Sequence, residues 1–169
     1  MFDVQTIGTL VTVVSVIVAV IYYILSVHNA NRTRQAQLLM QVYSIYTTEE
    51  FHNDFTELRM WDYGDHDDFL QKYGDSKKIA FINHLVSYFE GVGTLVYRGF
   101  LNPKYIDDLM SNYVFIVWEK LGPFIIEARK RRNQPEIYDK TEYLYNRLME
   151  IYEKEHGFKF KGKPLPLKK

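Results

Sequence analysis

The chain has 169 residues, in which 21 Lys and Arg balance 21 Asp and Glu, no Cys occurs, and aromatic residues make up 16% with 14 Tyr among them. The absence of Cys excludes disulfides, thiolate metal sites and cysteine nucleophiles, and the zero net charge argues against nucleic acid or a strongly acidic substrate as partner. Once a membrane segment is set aside, about 125 residues remain, enough for one domain that buries roughly two-thirds of its unfolded surface without covalent staples.

The first element is apolar. From Val4 to Asn31, between Asp3 and Arg32, no residue carries a formal charge. At 1.5 Å per residue, Ile7 to Val27 spans roughly 32 Å as a helix, close to the ~30 Å hydrocarbon thickness of a bilayer. A cleaved signal peptide needs a basic n-region and a small-x-small cleavage site, neither of which this segment has, so a retained transmembrane anchor over 1–28 is expected. Arg32 and Arg34 follow the span and no Lys or Arg precedes it, which predicts a short N-terminus outside and a cytoplasmic body. Within the span, Gly8, Thr12, Ser15, Ala19, Tyr22 and Ser26 recur at spacings of four and three. They share one helix stripe, where small and hydroxylated side chains permit close helix–helix approach in lipid. The competing account is that such residues are common in membrane helices and align by chance.

No Gly or Pro occurs between Asn29 and Asp62, and Leu38, Leu39, Val42, Ile45 and Tyr46 recur at helical spacing, which predicts an extension of the anchor helix over 29–46. A body over 47–157 follows. Thr47-Thr48-Glu49-Glu50 has the form of a capping box with Thr47 as N-cap, opening a helix to about Trp61. Gly64 and Gly74 bracket a short helical turn around Phe69 and Leu70. A long apolar helix is expected from Ser76 to Arg98, burying Phe81, Leu85, Tyr88 or Phe89, Val92 and Leu95. Gly99 ends it, and Asn102-Pro103 opens the next, which runs to Leu121 and is begun anew or kinked at Pro123 before continuing to Arg132. A last helix covers about Tyr138 to Glu155 and stops at Gly157. The fold class is all-α: one N-terminal transmembrane helix continuing into a cytoplasmic helical bundle. The segment 158–169, "FKFKGKPLPLKK", is a basic tail. Its Lys159, Lys161, Lys163, Lys168 and Lys169 are candidates for lipid-headgroup contact at about 1 kcal/mol each, or else merely keep the chain soluble.

Three features of the body bear on chemistry. The stretch from Thr47 to Asp75 holds nine carboxylates with His52 and His66, but lacks the calcium-loop spacing and any His pair at i, i+3 or i+4, so no metal or cofactor is expected. Glu90 is a lone acid on the apolar helix. It must find a partner or have its pKa raised, and the expected arrangement is a structural ion pair with Arg129. Gly91 and Gly93 lack the context of a phosphate loop and instead predict close approach of a second helix. Hydrolase and kinase signatures do not occur.

The pieces "DDFLQKYGD" (67–75), "YFEGVGTLVYRGFLN" (88–102) and "VWEKLGPFIIEARKRRNQPEIY" (117–138) stand in order behind a single N-terminal span. Together they resemble the domain-of-unknown-function family 4760 over roughly Ala36 to Met149. On that resemblance the family's pattern falls on Phe89, Glu90, Gly93, Gly99, Trp118, Pro123 and Arg129, implies a small single-span protein with a helical body, and implies no activity. The function expected from the whole sequence is that of a membrane-anchored helical interaction or structural protein without its own catalysis. Its partners would be membrane lipid and other transmembrane helices, of the same chain or of a larger complex, with no nucleic acid and no small-molecule substrate. An accessory single-span subunit of a membrane enzyme complex is the alternative, and an ion-binding sensor or enzyme using the acidic segment a third.

Overall fold

The computed structural model describes residues 3–157, so the basic tail, with its five Lys, lies outside the described residues. These residues form six helices and no strand: α1 Val4–Tyr46, α2 Glu49–Met60, α3 His66–Tyr73, α4 Ser76–Tyr97, α5 Pro103–Arg132 and α6 Asp139–His156. The chain divides into two compact units, Met1–Leu38 and Leu39–Lys169. The boundary falls within α1, so the last two turns of that helix belong to the second unit.

In the first unit, every residue from Asp3 to Arg34 whose side chain is described is exposed. The α-helix is what such a sequence forms where its apolar side chains find no protein to pack on, because it satisfies its backbone groups internally.

The second unit has α4, α5 and α6 at its centre, with α2 and α3 laid against α5 and α2 also against α4. Leu85, Val86 and Phe89 of α4, Ile106, Met110, Val114 and Leu121 of α5, and Leu144 and Leu148 of α6 are essentially without solvent contact. The spacings 85/89, 110/114 and 144/148 put each set on one helix face, and each such side chain contributes about 1.5–3 kcal/mol on burial. On α4 the buried face is rotated slightly from expectation: Phe81, Tyr88 and Leu95 are half-buried, while Ile82, Val86 and Val96 are buried.

The abundant rings close the joint between the end of α1 and the body. Tyr46 meets Tyr113 edge-on at 4.8 Å, Phe51 meets Tyr88 at 5.0 Å, and the Tyr88 hydroxyl donates to the Val42 carbonyl at 2.8 Å. Burial pushes the phenol pKa of both Tyr46 and Tyr88 upward, so these hydroxyls remain donors at any ordinary pH.

Helix starts follow local chemistry. Asp65, Asp75 and Asn102 accept from the N–H groups of their own first turns, and Pro103 follows Asn102 at the first helical position. Two expectations are corrected. The N-cap of α2 is Thr48, whose hydroxyl oxygen accepts from the Phe51 N–H. Thr47 instead donates its hydroxyl to the Tyr43 carbonyl at 3.1 Å, because α1 runs on to Tyr46 and leaves a C-terminal carbonyl to satisfy. Pro123 lies inside α5, where the non-helical torsions are at Met110 instead (φ −147°, ψ 16°). The Pro123 ring removes one N–H donor, and the strain is held by neighbours: Tyr63 donates its hydroxyl to the Lys120 carbonyl, and the Lys120 ammonium donates to the Trp61 carbonyl at 2.6 Å.

Candidate functional site

Two regions hold the residues that the sequence singles out. The first is the surface of α1. Gly8, Thr12, Ser15, Ala19, Tyr22 and Ser26 are all exposed. The Thr12 hydroxyl donates to the Gly8 carbonyl at 3.0 Å and the Ser15 hydroxyl to the Val11 carbonyl at 2.8 Å. Their donors are therefore satisfied within the helix, and the oxygens keep lone pairs for an incoming donor. Around the rest of the circumference stand Val11, Val14, Ile17, Val18, Ile21 and Leu25, each more than half exposed.

The second region is the junction of α4, α5 and α6. Tyr138, at the N-cap position of α6, has a left-handed backbone and makes no side-chain cap. Glu90 supplies the cap from α4: its carboxylate oxygens accept from the Lys140 N–H at 3.2 Å, the Thr141 N–H at 2.7 Å and the Thr141 hydroxyl at 2.8 Å. A carboxylate at a helix N-terminus is favoured both by these donors and by the macrodipole. Gly93, one turn further along α4, makes the approach possible, because a Cβ there would stand 2.1 Å from the Lys140 carbonyl oxygen.

The expected Glu90–Arg129 ion pair is thus corrected: no ion pair joins these two side chains among the described residues. Arg129 pairs with Glu142 and donates from Nε to the Ile137 carbonyl at 2.7 Å, while lying over the Trp118 ring at 5.7 Å. The physical reason is that two backbone N–H groups and a hydroxyl satisfy a half-buried carboxylate as well as a cation does. The guanidinium is then free to bind the next acid along α6. Lys140, Thr141 and Glu142 were not legible as site residues. The only signals were an isolated Glu on one helix and a helix start without a capping side chain on another.

The carboxylates between Thr47 and Asp75 have structural partners. Asp65 and Asp75 cap helices; Asp54 meets His84 at 3.3 Å, Glu57 pairs with Lys78, Asp68 with Lys72 at 2.9 Å, and Asp67 with Arg131 at 2.8 Å. The Arg131 guanidinium holds the Asp67 carboxyl below the usual carboxylate range, and the Gly64 N–H does the same for Asp68, followed by Lys72. Among the described residues no three His, Asp or Glu side chains are grouped so as to hold a metal ion. In the clamp around Pro123, burial pushes the Tyr63 phenol up to about 12 and raises the Glu119 carboxyl, whose Oε1 is buried without a hydrogen-bond partner.

The model of the family described as "Domain of unknown function (DUF4760)" matches residues 9–148. The chain belongs to the DUF4760 family. The DUF4760 match takes in α1 from Thr9 onward, the whole α4–α5–α6 junction and α6 as far as Leu148. No curated protein and no solved structure matches the chain. Most of the positions on which the resemblance rests are neighbours at the junction: Phe89 is buried beneath it, Glu90 and Gly93 meet the start of α6, and Trp118 lies under Arg129. Gly99 has a φ of 72° and ends α4, a conformation that favours glycine.

Proposed function

We propose that this DUF4760 chain is a membrane-anchored, single-pass helical protein that acts through contacts and has no catalysis of its own. One observation carries the reading: the surface of α1 from Gly8 to Val27 is apolar and exposed around its full circumference, and bears no charge. An exposed apolar surface of this extent calls for lipid or protein against it. Two further facts support an anchor that is retained. The helix continues without interruption from Val4 to Tyr46, well past the apolar run. The family match begins at Thr9, so most of the apolar run is part of the domain itself. α4 is also long and apolar enough to cross a bilayer, but it buries Ile82, Leu85, Val86, Phe89 and Val92 in the body and serves as its central helix. With Arg32 and Arg34 directly after the span, the body lies in the cytoplasm.

The partners are membrane lipid and other transmembrane helices meeting the stripe from Gly8 to Ser26. The carboxylates of the acidic segment are engaged in caps and ion pairs, which favours contact over chemistry as their role.

The absence of Cys makes the test direct. Gln5→Cys and Asn53→Cys variants are labelled in intact cells with a membrane-impermeant maleimide, and the membranes are then extracted with alkaline carbonate. The expected result is retention in the pellet, with position 5 labelled and position 53 labelled only after permeabilisation. Release into the supernatant would refute the anchor, and the opposite labelling would refute the orientation. Mild-detergent purification then separates self-association from stoichiometric unrelated subunits, the latter being the mark of an accessory subunit.

A further inference from the structure

A cleft of about 460 Å³ opens between the first turns of α4, the last turns of α5 and the connection that joins α5 to α6. Its walls are Ile79 and Ile82 on one side and Phe124, Ile125 and Ala128 on the other, and Arg132 stands on its edge. The volume and apolar lining are those of a small-molecule site, in which a few polar groups fix the orientation of the ligand. Three observations bear on what would enter.

The first is charge. Arg132 is exposed and makes no hydrogen bond or ion pair among the described residues, whereas Arg129, Lys130 and Arg131 beside it pair with Glu142 and Glu127. A guanidinium left open at the edge of an apolar cleft offers a planar pair of donors suited to a carboxylate. The second is the strap across the opening. Tyr138 holds a left-handed backbone, φ 54° and ψ 35°, which is strained for an aromatic residue, and its hydroxyl donates to Asn83 Oδ1 at 2.9 Å on the far wall. Strain held in place by one exposed hydrogen bond marks a segment able to exchange that contact for another. The third is direction: the cleft faces the first turns of α4, whose macrodipole favours a negative group.

We infer that this cleft binds a single-chain amphiphile with a carboxylate head, its hydrocarbon between Ile82 and Ile125 and its carboxylate on Arg132. The ligand is distinct from the substrate class that the sequence argues against, since nothing about the cleft implies turnover. The inference does not rest on the membrane reading, although a bilayer would supply such molecules at high local concentration.

The test uses the full chain in lipid nanodiscs and two probes, dodecanoate and dodecanol, each carrying a diazirine in the chain. After illumination, peptide mapping measures labelling of residues 79–83 and 124–128, with labelling of α1 as the internal standard for lipid-phase access. Dodecanoate should label the cleft at least fivefold more than dodecanol does. Excess unmodified dodecanoate should compete, and Arg132→Gln should abolish the difference while leaving α1 labelling unchanged. Ala128→Met, which fills the cleft without touching Arg132, should lower labelling by both probes. Equal labelling by the two probes, labelling confined to α1, or an unchanged Arg132→Gln would each overturn the proposal. None of these results bears on whether α1 crosses the membrane.

Discussion

Glu90 and Thr141 hold two helices together through one carboxylate: Oε2 accepts both the N–H of Thr141 at 2.7 Å and its hydroxyl at 2.8 Å. The start of α6 thus depends on a side chain from α4, fifty-one residues earlier in the chain. Glu90→Ala should leave two N–H groups and a hydroxyl short of an acceptor at a part-buried site and cost about 2–3 kcal/mol. Glu90→Gln, which keeps one acceptor and loses the charge, should cost less than half as much. Thermal unfolding of the full chain, followed by circular dichroism, checks both. Equal losses would mean that charge, and not acceptor geometry, sets the contact.

Gly91 and Gly93 make a matched pair for the approach of the two helices. A Cβ at position 91 meets nothing within 4 Å, whereas one at position 93 would stand 2.1 Å from the Lys140 carbonyl oxygen and 2.7 Å from its carbon. Ala is favoured over Gly in a helix by roughly 0.5–1 kcal/mol, so Gly91→Ala should raise the melting temperature. Gly93→Ala gains the same propensity but must push backbone away from backbone, so it should lower the melting temperature. A stabilising Gly93→Ala would show that α6 can retreat without loss.

Much of this arrangement is visible in the sequence, and the parts that are not share a cause. The helix ends are local: Asp65, Asp75, Asn102-Pro103 and Gly99 each act through their own chain neighbours, so spacing alone places them. Glu90 could be seen to need a partner, because a lone acid on an apolar helix is costly to bury. Its partner could not be named, since backbone N–H groups have no letter in a sequence and Arg129 was the nearest visible cation. The same holds for Pro123, whose break is absorbed by Tyr63 and Lys120. One of these lies about sixty residues away, and no local rule connects them. Thr47 and Thr48 differ by one register step, which only the true end of α1 decides.

Glu119 should give the body a pH dependence of definite sign. Burial raises its carboxyl above the ordinary 4.5, and Oε1 is buried without a partner. A raised folded-state pKa means that the folded chain binds this proton more tightly than the unfolded chain. Its contribution is fully present below the ordinary value and is lost as pH rises through the folded-state pKa. Glu119→Gln mimics the protonated form, so the variant should match the wild type at pH 4 and become the more stable of the two above that window. Melting temperatures between pH 4 and 8 give the difference curve, in which the shifts of other carboxyls cancel. A flat difference would show that Glu119 is solvated in solution.

Two contacts dock α3 on α5, and their magnitudes decide which one holds it. Arg131 and Asp67 form an exposed pair, for which about 0–1 kcal/mol is the usual contribution. Phe69 is fully buried and stacks on Phe124 at 4.0 Å, and removing such a ring typically costs about 3–5 kcal/mol. Arg131→Ala should leave amide exchange in α3 almost unchanged, whereas Phe69→Ala should bring exchange in residues 66–73 close to that of an unfolded segment. Comparable effects of the two changes would mean that the salt bridge is much stronger than its exposure allows.

The stripe on α1 makes a prediction that separates two physical sources of helix association in lipid. Gly8 and Ala19 would act by allowing backbones to approach, whereas Thr12 and Ser15 would act through hydroxyl oxygens whose own protons are already given to Gly8 and Val11. Since those donors are spent within the helix, a partner can use only the remaining lone pairs, and close packing should dominate. Gly8→Leu combined with Ala19→Leu should therefore weaken association in a membrane helix assay by at least tenfold. Thr12→Val with Ser15→Ala should weaken it only a few-fold. Equal association of all three forms would show that the stripe is accidental and that α1 serves as an anchor alone. The reverse order would place a hydrogen-bonding partner, rather than a closely packed one, against it.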